Sequence, residues 1–390
     1  MMKEILPEKH TQEYKCNYEF AAHADFATNL SELVNNIKDK TEVIRIVFFG
    51  KTTDENYAEE LLMMNTELKK VFGPEYPLVT YVTQPVLGEA EMSAEIHYRP
   101  ASVPQDAIEY KEHENVRYIL FGSTDGKTLM TEGIRGETPC TGVATQSDDI
   151  FRKLDAVLKQ EGFAVNDIVR QWNYINRITG FEGSVQNYQA FNDSRSVFYS
   201  QADWSTCGYP AATGIGMDCG GVIVEVIAIR NEREQVSAID NPLQVAAHNY
   251  SQNVLLGDRD KRLDNRSTPK FERAKTVWSD KGYTCYVSGT AAIRGELSLE
   301  DTDARRQTQM TLENIEHLIS VDNHRLFGAE IRHQAPLGAM RVYVKNREDY
   351  ESIHQHVKSY GEKIPAVYTQ ADVCRDELLV EIEGIASSSY

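Results

Sequence analysis

The chain has 390 residues, 41% of them hydrophobic, and a formal net charge of -18. That is ample for a large core and two or three domains, while the acidic balance disfavours generic nucleic-acid binding, which needs a concentrated basic surface. No apolar run approaches the ~20 residues of a membrane span, and the start, Met1 to Glu8, lacks the apolar core of a signal peptide, so a soluble cytoplasmic protein is expected.

Residues 1–40 show no clear element. A strand is predicted at 43–49, a helix at 57–71 and two closing strands at 78–83 and 91–98. Residues 99–115 read as a linker. Val116 to Phe121 is a β-branched and aromatic strand ending at the turn Gly122-Ser123-Thr124-Asp125-Gly126. Ser147-Asp148-Asp149 is expected to cap a helix whose apolar positions Ile150, Leu154, Val157 and Leu158 recur at helical spacing, with Gly162 as its stop. A strand from Ile168 to Ile175, a helix from Tyr188 to Tyr199 and two strands flanking a Gly-rich segment follow, ending at Ile229. Residues 230–275 are polar and charged and read as an ordered surface crossing or a partly mobile loop. Beyond it come a strand from Tyr283 to Ala291, a helix over 301–319, a strand from Met340 to Lys345, a helix over 347–359 and a last strand over 379–385.

One pattern occurs three times. Tyr76-Pro77-Leu78-Val79-Thr80, Tyr209-Pro210-Ala211-Ala212-Thr213 and Ile364-Pro365-Ala366-Val367-Tyr368 are each followed by a strand with a central glutamate, Glu95, Glu225 or Glu381. Each is preceded by an apolar strand with arginine in second place, Arg45, Arg170 or Arg341. Repeats of this length are whole α/β units. The chain therefore reads as a covalent pseudo-trimer with boundaries at 1–110, 111–235 and 236–390, the first unit degenerate, and a site where units meet.

The run Thr213-Gly214-Ile215-Gly216-Met217-Asp218-Cys219-Gly220-Gly221 fails the dinucleotide pattern, because Cys219 stands at the third glycine, and it lacks the Lys-Ser/Thr ending of a nucleotide loop. Backbone N–H groups from Thr213 to Gly216 could hold a carboxylate, or the run is a bulge or hairpin turn. Glu381 and Glu383 share one face of an apolar strand. A carboxyl buried there would have a raised pKa and could donate a proton; pointed at solvent it would do neither. Cys374 is a site residue or a small buried hydrophobe. Arg170, Arg195 and Arg341 could bind carboxylate bidentately or form ordinary ion pairs. Trp172, Tyr174 and Tyr343 alternate on strands as core or pocket wall. The histidines form no ligand cluster, so no metal is expected, and the six cysteines, at 16, 140, 207, 219, 285 and 374, read as reduced structural thiols.

Units 2 and 3, from Ser147 to Ile229 and from Tyr283 to Ala386, resemble the RidA/YjgF superfamily: helix, strand, helix, Pro-Ala turn and a closing Val-Glu-Ile/Val strand. The resemblance implies an α/β (α+β) fold of tandem RidA/YjgF-like, chorismate-mutase-like units forming an intrachain pseudo-trimer. Residues 116–386 also resemble the chorismatases, in Val169 to Ile175, Tyr188 to Arg195, Tyr209 to Gly216, Pro269 to Ala274, Ser288 to Ala291 and Ala371 to Arg375. That narrower resemblance implies cleavage of the enol pyruvyl ether of chorismate, a small dianion, with release of pyruvate and no cofactor. It places the catalytic glutamate at Glu381 and, if the 3-hydroxybenzoate-forming branch is the right one, a cysteine at Cys374. Thr213, Gly214, Gly216, Ser288, Gly289 and Ala291 would line the site, with Tyr209, Arg195, Arg341 and Tyr368 around the substrate. The protein would be a monomer or homo-oligomer, with no nucleic-acid or membrane partner. Deaminating members of the superfamily carry arginine after Pro-Ala, where this chain has Ala212 and Val367. A RidA-like imine or enamine hydrolase and a non-catalytic metabolite binder are the rival expectations.

Overall fold

The structure is a computed structural model, and it describes residues 15–123, 126–137, 141–231, 235–300 and 302–390. Thr124 and Asp125 in the expected turn, Cys140, and the first part of the unexplained N-terminal stretch lie outside them.

Unit 1 comprises β1 (Cys16–Ala21), α1 (Phe26–Asn36), β2 (Val43–Gly50), α2 (Asp54–Phe72), β3 (Leu78–Val82) and β4 (Met92–Tyr98). Unit 2 comprises β5 (Glu109–His113), β6 (Val116–Ser123), β7 (Gly126–Thr131), α3 (Val143–Glu161), β8 (Ile168–Asn176), α4 (Asn187–Tyr199), β9 (Ala211–Met217) and β10 (Val222–Asn231). Unit 3 comprises β11 (Gln235–Ile239), β12 (Ala274–Ser279), β13 (Gly282–Ala291), α5 (Ala304–Leu318), α6 (Val321–Leu326), β14 (Leu337–Val344), α7 (Tyr350–Tyr360), β15 (Ala366–Gln370) and β16 (Val380–Ser389).

The same four-strand arrangement stands in each unit: β1-β4-β2-β3, β7-β10-β8-β9 and β13-β16-β14-β15. In each, the second and third strands run parallel across a helical crossover and the last strand pairs antiparallel between the first and second. Units 2 and 3 extend their sheets beyond this module with β6-β5 and β12-β11. The pseudo-trimer is thus written in the strand ladders. Unit 1 has its opening strand and first helix after all, in residues where no element was expected. β1 is short, and α1 is short and capped by Asp25, whose carboxylate accepts from Thr28 N–H at 2.8 Å.

Strand alternation divides each sheet into two faces. On β10, Val222, Val224, Val226 and Ala228 pack against α3 and α4, while Ile223 and Ile227 join a central core that also takes Val47, Trp172, Tyr343 and Ile385 from all three units. A third cluster, with Ile315, Ile353, Val380 and Ile382, lies under the helices of unit 3. Two expectations are corrected and one pair of alternatives is decided. The helix expected to start at Ser147 starts at Val143, and Ser147 is interior, its hydroxyl donating to the Val143 carbonyl at 2.7 Å. The run Thr213 to Gly216 is neither anion loop nor hairpin turn; it lies inside β9, paired with β8. Of the two readings of the crossing at 230–275, the ordered one holds for its described residues: it contributes β11 to a sheet edge, and Asp193 on α4 accepts from the N–H groups of Asp260 and Ser267 at 2.8 and 3.0 Å. Among the described residues no helix is long and apolar enough to cross a membrane.

Candidate active site

The ladders align the functional residues of the three units. Glu95 faces Val47, Glu225 faces Trp172 and Glu381 faces Tyr343. The arginines Arg45, Arg170 and Arg341 lie two residues before those partners, opposite His97, Ile227 and Glu383 respectively. Thr80, Thr213 and Thr369 lie beside the same positions on the parallel neighbour.

Two of the glutamates are clamped across unit boundaries. Arg45 of unit 1 binds Glu225 of unit 2 with two hydrogen bonds of 3.0 and 2.7 Å, and Thr80 adds one of 2.5 Å. Arg341 of unit 3 binds Glu95 of unit 1 with two of 2.6 Å. Burial alone would raise the Glu95 carboxyl, but Arg341 and His97 together hold it well below the usual carboxylate range.

The third glutamate is different. Arg170 and Thr213 of unit 2 bind Glu383, not Glu381, and they bind each other at 2.7 Å. Glu383 also accepts from the Trp172 indole at 3.0 Å and the Tyr343 hydroxyl at 3.1 Å. Glu381 is left with no hydrogen bond to its carboxyl among the described residues, and burial, reinforced by the Glu383 charge, pushes it up to about 8. At neutral pH it is a carboxylic acid.

Glu381 stands on the wall of a cavity of about 750 Å³, open mouth included, between units 2 and 3. α4 contributes Tyr188, Gln189 and Asn192; the crossing segment contributes Tyr250, Leu255, Phe271 and Arg273; unit 3 contributes Gly289, Ala291, Cys374, Arg375 and Leu378. Apart from Glu381, the charged side chains on this wall are Arg273 and Arg375, a local positive pair in an acidic protein. Arg273 is fixed by donating to the Val245 carbonyl at 2.9 Å and the Tyr250 hydroxyl at 2.6 Å. Arg375 is fixed by the Glu296 carbonyl at 2.8 Å and the Ser298 hydroxyl at 3.1 Å. Two glycines shape the space. β13 has a ladder irregularity between Val287 and Thr290, and a Cβ on Gly289 there would overlap the Glu381 carboxyl. A Cβ on Gly214 would come within 2.9 Å of the Tyr188 ring. Cys374 is a neutral thiol, pushed up to about 12 by burial and then by Glu381.

Of the residues singled out from the sequence, Glu381, Cys374, Gly214, Gly289 and Ala291 share this cavity. The others lie elsewhere. Thr213 sits behind the wall in the Glu383 clamp, donating there while accepting from Gly289 N–H at 3.0 Å. Ser288 staples two units, donating to the Glu272 carbonyl at 2.6 Å and accepting from Ala212 N–H at 2.9 Å. Gly216 spends its N–H on the Asp372 carbonyl at 2.8 Å and its carbonyl on Gln84 at 2.6 Å. Arg195 is a buried residue of α4 and donates to the Asn192 side-chain carbonyl at 2.6 Å. Tyr209 lines a separate polar cleft beside Trp204, His248 and Glu272. Arg341 is engaged by Glu95, with its remaining nitrogen on the Tyr174 hydroxyl and Glu383. Tyr368 packs against Tyr350 and His354 on the helix side, because the ladder places Thr369, one residue on, at the register of Thr213. Arg273, Arg375 and Tyr188 were not singled out. All three fall inside matched segments, yet a lone arginine or tyrosine in a loop or helix carries no signal of its own. Cys16, Glu95 and His97 cluster within ligand distance of one another, but Glu95 already carries the Arg341 guanidinium, and a cation there would face it.

These features define a pseudo-trimeric α/β protein with a neutral buried acid and two arginines in a cavity at one unit junction. Residues 102–228 match the family model described as "Chorismatase FkbO/Hyg5-like, N-terminal". The chain is 32% identical over 276 residues to a 3-hydroxybenzoate synthase of Streptomyces hygroscopicus, covering 68% of this chain and 77% of the relative. It is 30% identical to a chorismatase from the same organism, covering 56% of this chain and 61% of that protein. The fold superposes on a chorismatase crystal structure with a TM-score of 0.71 at 21% identity, over 96% of this chain and 98% of that one. The chain belongs to the chorismatase family, and it is an enzyme of that family.

Proposed function

We propose that this enzyme cleaves the enol pyruvyl ether of chorismate, with Glu381 as the general acid and pyruvate and 3-hydroxybenzoate as products. The observation that carries the reading is the position of Glu381: a carboxyl group without a hydrogen-bond partner among the described residues, kept protonated at neutral pH, on the wall of a cavity with two arginines. An enol ether is activated by protonation at its methylene carbon. The proton moves from Glu381 to that carbon, leaving positive charge on the ether carbon and a carboxylate on Glu381 that stabilises it. Water adds to that carbon, returning a proton to Glu381. Collapse of the resulting hemiketal to the ketone breaks the bond between this carbon and the ether oxygen, freeing pyruvate and leaving the oxygen on the ring as a hydroxyl. Loss of the neighbouring ring hydroxyl as water, with the proton of the ring carbon, then gives 3-hydroxybenzoate, so the water added is returned. Arg273 and Arg375 suit the two carboxylates of the substrate, since guanidinium binds carboxylate in a planar fork. Gly214 and Tyr188 would set the width of the slot for the ring.

The product branch rests on the name of the 32% identical relative and on Cys374. Pyruvate and 3-hydroxybenzoate together hold the atoms of chorismate with nothing added; the dihydroxycyclohexadiene acid needs one water as well. Incubation of the purified protein with chorismate, with pyruvate release followed and the second product identified by mass and retention, tests both levels. Pyruvate with 3-hydroxybenzoate is expected. Pyruvate with the dihydroxydiene acid overturns the branch, and no pyruvate from folded protein overturns the reaction.

A further inference from the structure

The three unit junctions differ in a way the reaction does not explain by itself. At the junction of units 1 and 2, the arginine and threonine of unit 1 clamp the closing-strand glutamate of unit 2. The arginine of unit 3 clamps that of unit 1. Cyclic repetition would set Arg170 and Thr213 of unit 2 on Glu381 of unit 3. They sit instead on Glu383, two residues along the same face. That register position holds His97 in unit 1 and Ile227 in unit 2, so only unit 3 carries an extra carboxylate there.

We infer that Glu383 is a positioning residue: by engaging Arg170 and Thr213 it keeps their clamp off Glu381 and leaves that carboxyl group free at the cavity wall. The inference rests on the reading of Glu381 as proton donor, and it says what makes that role available in a scaffold whose other two junctions neutralise the equivalent glutamate. Glu383 is suited to the task. Trp172, Tyr343, Thr213, Arg170 and Arg341 all reach it, so its charge is held in place rather than shared with its neighbour. Among the described residues, the ionisable groups facing Glu381 or sharing its cavity wall are Glu383 on its own strand, Arg170 on β8, Arg273 in the crossing segment, Tyr188 on α4, and Cys374 and Arg375 in the loop before β16. Burial keeps the tyrosine and the thiol neutral. Of the three cations, Arg170 is the one the repeat would pair with Glu381.

The test compares the full-length protein with Glu383→Gln and with the pair Arg170→Met and Glu383→Gln. Two readouts are followed against pH: kcat/KM for chorismate, and the infrared carboxylic-acid band of Glu381, assigned by its loss in Glu381→Gln. In Glu383→Gln the freed Arg170 should turn to Glu381, and with the Glu383 charge gone as well the band should titrate about one pH unit or more lower. The alkaline limb of kcat/KM should follow it down. A crystal structure of the variant should show Arg170 within hydrogen-bond distance of Glu381, which loss of the Glu383 charge alone does not bring about, and an Arg170 that stays on residue 383 overturns the inference. The pair removes the competing cation and should titrate within about half a unit of the parent. A folded Glu383→Gln protein whose Glu381 band titrates where the parent's does overturns the inference. Should Glu383→Gln alone not fold, the pair decides: a band about one unit or more below the parent's overturns it too. The infrared titration reads positioning without turnover. A parent enzyme whose rate does not follow the Glu381 band would sink the proton-donor reading while leaving the positioning result standing.

Discussion

The junction of units 1 and 2 and the junction of units 2 and 3 are built from the same strands in the same register, with an arginine and a threonine offered from one unit and a glutamate from the next. At the first, Arg45 and Thr80 hold Glu225, and the group is buried and saturated. At the second, Glu383 takes the clamp and Glu381 is exposed to a cavity. A buried ion pair is costly to assemble and costlier to break, because removing one partner strands the other without water. A repeated fold therefore supplies several equivalent places where a carboxyl group is already surrounded by protein. Diverting the cation from one of them leaves an acid that burial keeps neutral. The difference teaches that the site is a defect in the repetition, and the repetition is what makes the defect readable.

The largest effect expected from this contrast is on Glu381 itself. Glu381→Gln keeps the shape and removes the transferable proton, so kcat should fall by roughly 10²–10⁴-fold, the usual worth of a general acid. Substrate affinity should hold, since Arg273 and Arg375 are untouched. Steady-state kinetics together with calorimetric binding of chorismate separate the two. Retained turnover would remove the functional half of the comparison. The matching change at the saturated junction, Arg45→Met, should act on stability alone. It strands the Glu225 carboxylate, so a loss of about 3–5 kcal/mol is expected, read by denaturant unfolding. The alkaline limb of kcat/KM should stay where it is in the parent. A limb displaced as expected for Glu383→Gln would mean that the two junctions are not separable.

Much of this arrangement is legible along the chain. The three Pro-to-Glu spacings and the three arginines announce the units, and the spacing of Glu381 and Glu383 places both on one face of β16. What stays hidden has physical causes. Aligning the repeats at proline matches Tyr368 with Thr213, yet the parallel ladder aligns Thr369, and a one-residue slip moves a side chain to the opposite face. β1 shows no regular alternation of buried and exposed positions, so it forms because the sheet accepts it, whereas α1, with Asp25 as its cap and Leu30, Leu33 and Val34 on one buried face, carried a signal that went unread. Arg273 reaches the cavity from the crossing segment and Arg375 from the loop before β16, each positioned by carbonyls and hydroxyls distant in sequence. Which of two glutamates on one face receives Arg170 is a choice made in three dimensions. No local spacing records it.

The smallest effect is also the most direct contrast, because it reads two glutamates of equivalent register in opposite directions. Glu381 is pushed up to about 8 by burial and by Glu383. Its acidic form is the working one, so kcat/KM should be flat below that value and fall about tenfold per unit above it. Its contribution to stability has the same sign. The folded state holds the proton more tightly than the unfolded chain, so the contribution is complete below the unfolded carboxyl range and is lost as pH rises through about 8. Glu95 runs the other way. Arg341 and His97 hold it well below its ordinary value despite burial, so its contribution is present above the unfolded carboxyl range and is lost as pH falls through its folded value. Unfolding free energy measured across pH should therefore decline at both ends. Glu381→Gln should reduce the alkaline decline, leaving the part contributed by Glu132, which burial pushes up to about 7, and should leave the acid side unchanged. An alkaline decline undiminished by the substitution would show that Glu381 is ionised in the folded protein at neutral pH, as its counterpart in unit 1 is, and that the two junctions do not differ in the way their hydrogen bonds indicate.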